Sequence, residues 1–80
     1  MTLDEILENY PDEQFLKADG FDEAVIGLDP VSMKLIYSRE MMIDLLVVND
    51  NMTEEEAIEY LEYNTWNTYF GDQTPIYIEI

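Results

Sequence analysis

Three glutamates, Glu55, Glu59 and Glu62, recur at the spacing of one helix face in the stretch MTEEEAIEYLEYNTWNTYF. At a rise of ~1.5 Å per residue, Glu55 and Glu59 stand ~6 Å apart along the axis and Glu62 another ~4.5 Å on. Tyr63 follows Glu59 by four and falls on the same side, and Glu79 adds a carboxylate in the final apolar segment. No Lys or Arg stands among the residues of the glutamate row. The chemistry such a row can perform is ionic recognition of a basic surface. Duplex DNA carries one charge per ~1.7 Å of axis, and its binders present Lys and Arg to match. Carboxylates spaced on a rigid scaffold can occupy such a basic cleft as a decoy, with electrostatic steering to speed the encounter. The plainer reading is a solvated helix whose first turn holds acids because the helix dipole favours them. That reading explains where the charge sits. It does not explain the missing cations, since a solvated helix gains from opposite charges four apart.

The whole chain repeats this imbalance. It has 80 residues with 19 acidic and 3 basic side chains, a net charge of −16. Eighty residues allow one domain, residues 1–80, with one small core that stabilises by about 3–5 kcal/mol. Self-repulsion subtracts from that margin. An apolar fraction of 48% still argues for a folded chain rather than a disordered one. Lys17, Lys34 and Arg39 are too few for a nucleic-acid site, so direct nucleic-acid binding is not expected. A surface this acidic is also repelled by anionic membranes.

Other chemistries are poorly served. The chain has no cysteine and no histidine, which removes disulfides, thiolate or imidazole zinc sites, and every Ser-His or Cys-His mechanism. No segment fits an EF-hand loop. Asp19–Glu23 and Asn49–Asn51 are the nearest polar clusters, and both read as turns. A glycosidase would need two opposed carboxylates in a sugar-holding cleft, hard to build in one small domain. No enzyme activity, dedicated metal or cofactor is expected. MTLDEILENY lacks a basic n-region and a long apolar run, so a cytoplasmic location is expected. The aromatics Tyr60, Tyr63, Trp66, Tyr69, Phe70 and Tyr77 could serve as interface anchors beside the carboxylates. Core positions are the more natural reading for Trp66 and Phe70.

The elements that must position these residues follow from caps and periodicity. Thr2 with Glu5, and Thr53 with Glu56, match the capping-box spacing. They predict a short helix over Leu3–Asn9 and a longer one from Glu54 to about Tyr69, stopped by Gly71. Leu3, Ile6, Leu7 and Tyr10 form the first helix's apolar stripe. Residues 12–16 are compatible with a further helical turn. Residues 23–28 and 33–37 read as an antiparallel hairpin around Asp29-Pro30, with Ala24, Ile26 and Leu28 on one face and a bulge near Gly27. Ser38 caps a helix from about Arg39 to Val48. The last segment alternates, with Ile76, Ile78 and Ile80 expected inward and Tyr77 and Glu79 outward. The order is α-β-β-α-α-β: an α+β fold with a small three-stranded sheet covered by two to three helices.

Asp22–Gly27 (DEAVIG), Met52–Tyr60 (MTEEEAIEY) and Gly71–Pro75 (GDQTP) carry a resemblance. Their layout is similar to that of short acidic proteins of bacteriophages and prophages, over about residues 22–80. That group brings no established activity, so no functional residue is carried over. The resemblance implies a small phage accessory protein, a setting in which acidic mini-proteins block host nucleic-acid-handling or defence machinery.

The expected function is therefore an acidic binding protein that inhibits or modulates a basic, nucleic-acid-handling partner, with Glu55, Glu59, Glu62, Tyr63 and Glu79 in contact. The alternative is an assembly accessory that dimerises through the C-terminal strand, whose free edge would invite pairing with a second copy. A third reading treats the charge as a solubility device alone.

Overall fold

Thr2 opens the first element. In the computed structural model, which describes residues 1–80, the Glu5 N–H donates to the Thr2 hydroxyl at 3.3 Å and the Thr2 N–H donates to the Glu5 carboxylate at 2.9 Å. This exchange satisfies two N–H groups that no helical carbonyl reaches. Helix α1 then runs Leu3–Asn9. Leu3 and Ile6 are buried and Tyr10 is half-buried, but Leu7 is largely exposed. Beyond Pro11 the chain makes no helical turn over residues 12–16. Tertiary contacts hold this stretch instead: Phe15 packs against the core and the Ala18 N–H donates to the Tyr37 hydroxyl at 2.8 Å.

A 3-10 turn, Asp22–Ala24, leads into strand β1, Val25–Asp29. Strand β2, Lys34–Ser38, returns antiparallel to it. Val25 lies opposite Tyr37 and Leu28 opposite Leu35, so β1 carries one more residue than β2 over the same span. That extra residue is the bulge foreseen near Gly27. It also breaks the expected face: Ala24 falls in the 3-10 turn, and Val25, not Ile26, joins Leu28 on the core side. In the connecting turn the Asp29 carboxylate accepts hydrogen bonds from the Ser32 hydroxyl at 2.8 Å and the Val31 N–H at 3.0 Å. Those bonds hold its carboxyl below the usual aspartate range. Met33, expected in the strand, closes the turn in the left-handed region at φ +56.

Ser38 ends β2 and caps helix α2, Arg39–Asn49, by accepting from the Met41 N–H at 3.1 Å. Met42 and Leu46 are buried, whereas Met41 and Val48 face solvent. Asn51, left-handed at φ +55, ends the turn that follows. Helix α3, Glu54–Leu61, begins with the second reciprocal box, Thr53 with Glu56. It packs on α2 through Ala57 and Leu61, both fully buried.

Strand β3, Ile76–Ile78, lies on the far side of β2 and parallel to it, giving the order β1-β2-β3 in one mixed sheet. The fold is α+β in the order α-β-β-α-α-β. The orientation of β3 is the reverse of the expected one. Tyr77 pairs with Tyr37, which is fully buried, so it shares the core face, with the two rings 5.7 Å apart. Ile76 and Ile78 turn to the opposite face, and Ile80 is 60% exposed. Alternation identifies two sets of side chains but not which set is inward; the register with β2 decides that. Burial pushes the Tyr37 phenol up to about 12. No helix is long and apolar enough to cross a membrane.

Candidate functional site

The glutamate row depends on how α3 ends. Helix α3 stops at Leu61 and continues as a five-residue π segment, Glu62–Trp66, so the helix expected to reach Tyr69 ends earlier. An unbroken helix would bring Asn64 and Thr68 inward after Leu61. The wider π turn places Trp66 against the core, its indole N–H pointing at the Met42 sulfur at 3.4 Å. Burying an indole in place of an amide is the gain that offsets the weaker π geometry. Two asparagines occupy the carbonyls that this loosening affects. The Asn64 amide donates to the Tyr60 carbonyl at 2.9 Å, and the Asn67 amide to the Glu62 carbonyl at 3.1 Å.

With the helix widened in this way, Glu59, Glu62 and Tyr63 line one shallow, open concavity together with Met52, Glu56, Tyr60 and Asn64. Three of the five residues expected at the site are thus brought together. Tyr63 is 88% exposed, the most exposed aromatic of the chain, and Tyr60 is 44% exposed. An exposed tyrosine beside carboxylates offers apolar area with little rotamer entropy to lose. The Glu56 carboxylate accepts from the Thr53 N–H at 2.9 Å, which holds it below the usual glutamate range. It therefore stays ionised further into acid.

Glu55 does not line this concavity. Neither does Glu79, which pairs with Arg39 at 3.4 Å. The Arg39 guanidinium in turn lies over the Trp66 ring, 4.8 Å from its centroid. This is the chain's one ion pair, so a single carboxylate of 19 is compensated by direct contact. Glu79, although its side chain is 84% exposed, is compensated by Arg39 and so does not belong to the uncompensated surface. Glu56, Met52 and Asn64 line the hollow without having been expected there, and Tyr60, expected only as one of several possible anchors, joins them. By sequence Glu56 reads as a capping residue, and the cluster Asn64, Thr65, Asn67, Thr68 is the available sign that a regular helix does not persist.

On its other side Tyr60, with Asn64, also borders a second groove, walled by Phe21, Phe70, Pro75 and Tyr77 and carrying Lys17 and Asp19. No three carboxylates converge closely enough to hold a metal ion. The arrangement can bind a cationic group through carboxylates and an aromatic wall. Comparison with protein-family models, curated proteins and solved structures gave no match to this chain.

Proposed function

We propose that this chain is a binding protein that inhibits or modulates a basic, nucleic-acid-handling partner, acting as a bacteriophage accessory protein in the host cytoplasm. The observation that carries the reading is the hollow of Glu56, Glu59, Glu62, Tyr60 and Tyr63, which contains no cation. Its carboxylates meet a partner's Lys or Arg, and the tyrosines supply contact area and a stacking surface for guanidinium groups. The surrounding charge of −16 steers the encounter and makes binding sensitive to salt. The resemblance to short acidic phage proteins supplies the setting and no mechanism.

The test is capture from bacterial lysate at low and high salt, with wild type and the Glu59→Lys/Glu62→Lys double variant compared side by side. A basic nucleic-acid enzyme held by wild type, released by salt or by added duplex DNA, and lost with the double variant supports the proposal. Equal capture by both proteins, or no salt dependence, would overturn it.

A further inference from the structure

The groove beside the glutamate hollow is built in depth. Phe21 and Pro75 are buried and Tyr77 is half-buried, so its base is apolar. Tyr60 and Phe70, 44% and 57% exposed, border it as aromatic lips. It encloses about 420 Å³, within the range of clefts that bind ligands and ample for one aromatic side chain. The hydrophobic effect favours turning Phe70 inward, yet its own turn keeps it out. The Phe70 N–H donates to the Thr74 hydroxyl at 2.8 Å, and that hydroxyl donates to the Gly71 carbonyl at 2.7 Å. Gly71 supplies the left-handed φ of +110 within this turn. The backbone that carries the ring is therefore fixed, and the lip exists before anything binds.

Charge divides the two concavities. Glu56, Glu59 and Glu62 line the hollow with no cation among them. The groove carries Lys17 and Asp19, both exposed, whose charges offset one another, and no other charged side chain lines it. The hollow thus selects a cation and the groove selects apolar surface. Tyr60 and Asn64 line both, so neighbouring residues of one bound segment reach the two together. The net charge of −16 decides which segment arrives: a basic one is drawn in and an acidic one is turned away.

We infer that the groove between Tyr60 and Phe70 takes an aromatic side chain of the same basic partner segment whose Lys or Arg meets the hollow. The inference rests on the basic-partner reading and deepens it: the segment recognised pairs a cation with an adjacent aromatic residue. The carboxylates speed the encounter, and the ring, seated over Phe21 and Pro75, supplies contact that salt does not screen. A basic segment without the ring leaves the groove wet and binds through charge alone.

The probes are two acetylated lysine-glycine peptides of equal length and charge, one with phenylalanine beside a lysine and the other with alanine in its place. Titration calorimetry against the full chain reads both at about 50 mM and about 300 mM salt. Wild type is expected to bind the phenylalanine peptide at least about tenfold tighter, the gain from burying one ring. Both affinities fall with salt while their ratio holds. Phe70→Ser is expected to lose most of the preference and keep the salt dependence, whereas Glu59→Lys/Glu62→Lys weakens both peptides and keeps the preference. Circular dichroism melting reports whether each variant folds. Should Phe70→Ser unfold, amide shifts of wild type decide, with those specific to phenylalanine expected at Ala18, Phe21 and Phe70. Equal binding of the two peptides, an undiminished preference in folded Phe70→Ser, or phenylalanine-specific shifts away from the groove would each overturn the inference and leave the basic-partner reading standing. N-acetylphenylalaninamide binding as tightly as the peptide would make the groove a small-molecule site and overturn it too. No binding of either peptide, or binding indifferent to salt, would overturn both.

Discussion

Helices α1 and α3 begin with the same chemistry and end differently. Each opens with a Thr whose hydroxyl accepts from the third helical N–H, and each third residue is a Glu that reaches back. Helix α1 then stops within two turns, ahead of Pro11, with its inner face against β1. Helix α3 runs into a π segment that turns Trp66 inward and leaves Glu59, Glu62 and Tyr63 around one hollow. A capping box sets where a helix starts; the presented surface is set by how the helix ends. Start signals are local, whereas the π segment exists because the core accepts an indole at that point.

The largest test of the comparison removes core from each helix. Ile6 and Leu61 are both fully buried. Truncation of either to Ala is expected to cost about 2–5 kcal/mol, comparable to the whole margin of a domain this size. Thermal melts should lose their cooperative transition in both variants. A near-normal melt for Ile6→Ala would mean that α1 is dispensable and that the two helices are not equivalent structural partners.

A smaller effect separates the segment after α1, held by a phenol hydrogen bond as well as by Phe15 packing, from α3, held by packing. Tyr37 accepts from the Ala18 N–H, and burial raises its pKa from 10.0 to about 12. An acid whose folded pKa is raised gives stability that is complete below pH 10 and is lost as pH rises through about 12. Far-UV dichroism followed through that window should show an alkaline loss of structure. Tyr37→Phe should cost about 1 kcal/mol at neutral pH and flatten that alkaline limb. An unchanged limb in Tyr37→Phe would assign it to other groups.

Next come the caps. Thr2→Ala and Thr53→Ala are each expected to cost about 1 kcal/mol, or about 4–8 °C in Tm for a domain of this length. Both Glu5 and Glu56 are held below 4.5, chiefly by the Thr N–H that each accepts. Their contribution is therefore present above pH 4.5 and fades as pH falls through the lowered values. Melts in which only one variant is destabilised would show that the two boxes are equal in form but not in weight.

The smallest change in stability is expected for Asn64→Ala with Asn67→Ala, about 1 kcal/mol or less. Its effect on partner capture should be larger than its effect on melting, because the π segment that spaces Glu59 and Glu62 is what it loosens. Capture unaffected by this pair would detach the π segment from the binding surface.

These contrasts explain what was legible in the sequence. The element order, both capping boxes, the Ser38 cap and the bulge near Gly27 all follow from chemistry within a few residues. What escaped depends on distant partners. Tyr77 lies inward because Tyr37 does, which no local alternation reveals. Residues 12–16 lack helix because Tyr37 and the core hold their neighbourhood. Glu79 pairs with Arg39, 40 residues away in sequence, a contact that no local pattern reveals. Of the expected group, Glu59, Glu62 and Tyr63 line one hollow because they lie within about one turn of each other. Glu55 dropped out because a shared helix face does not make a shared hollow.

The parallel pairing of β2 with β3 carries a consequence for how the chain assembles. The Arg39–Glu79 contact beside it spans 40 residues of sequence, and both helices α2 and α3 lie within that loop. Closing so long a loop costs entropy before any contact rewards it. The hairpin and capped helices can form early, and the last strand docks late, after the ground beneath it exists. Kinetic φ-values near zero at Ile76, beside higher values in the hairpin, would mark a molecule that is latched from its end.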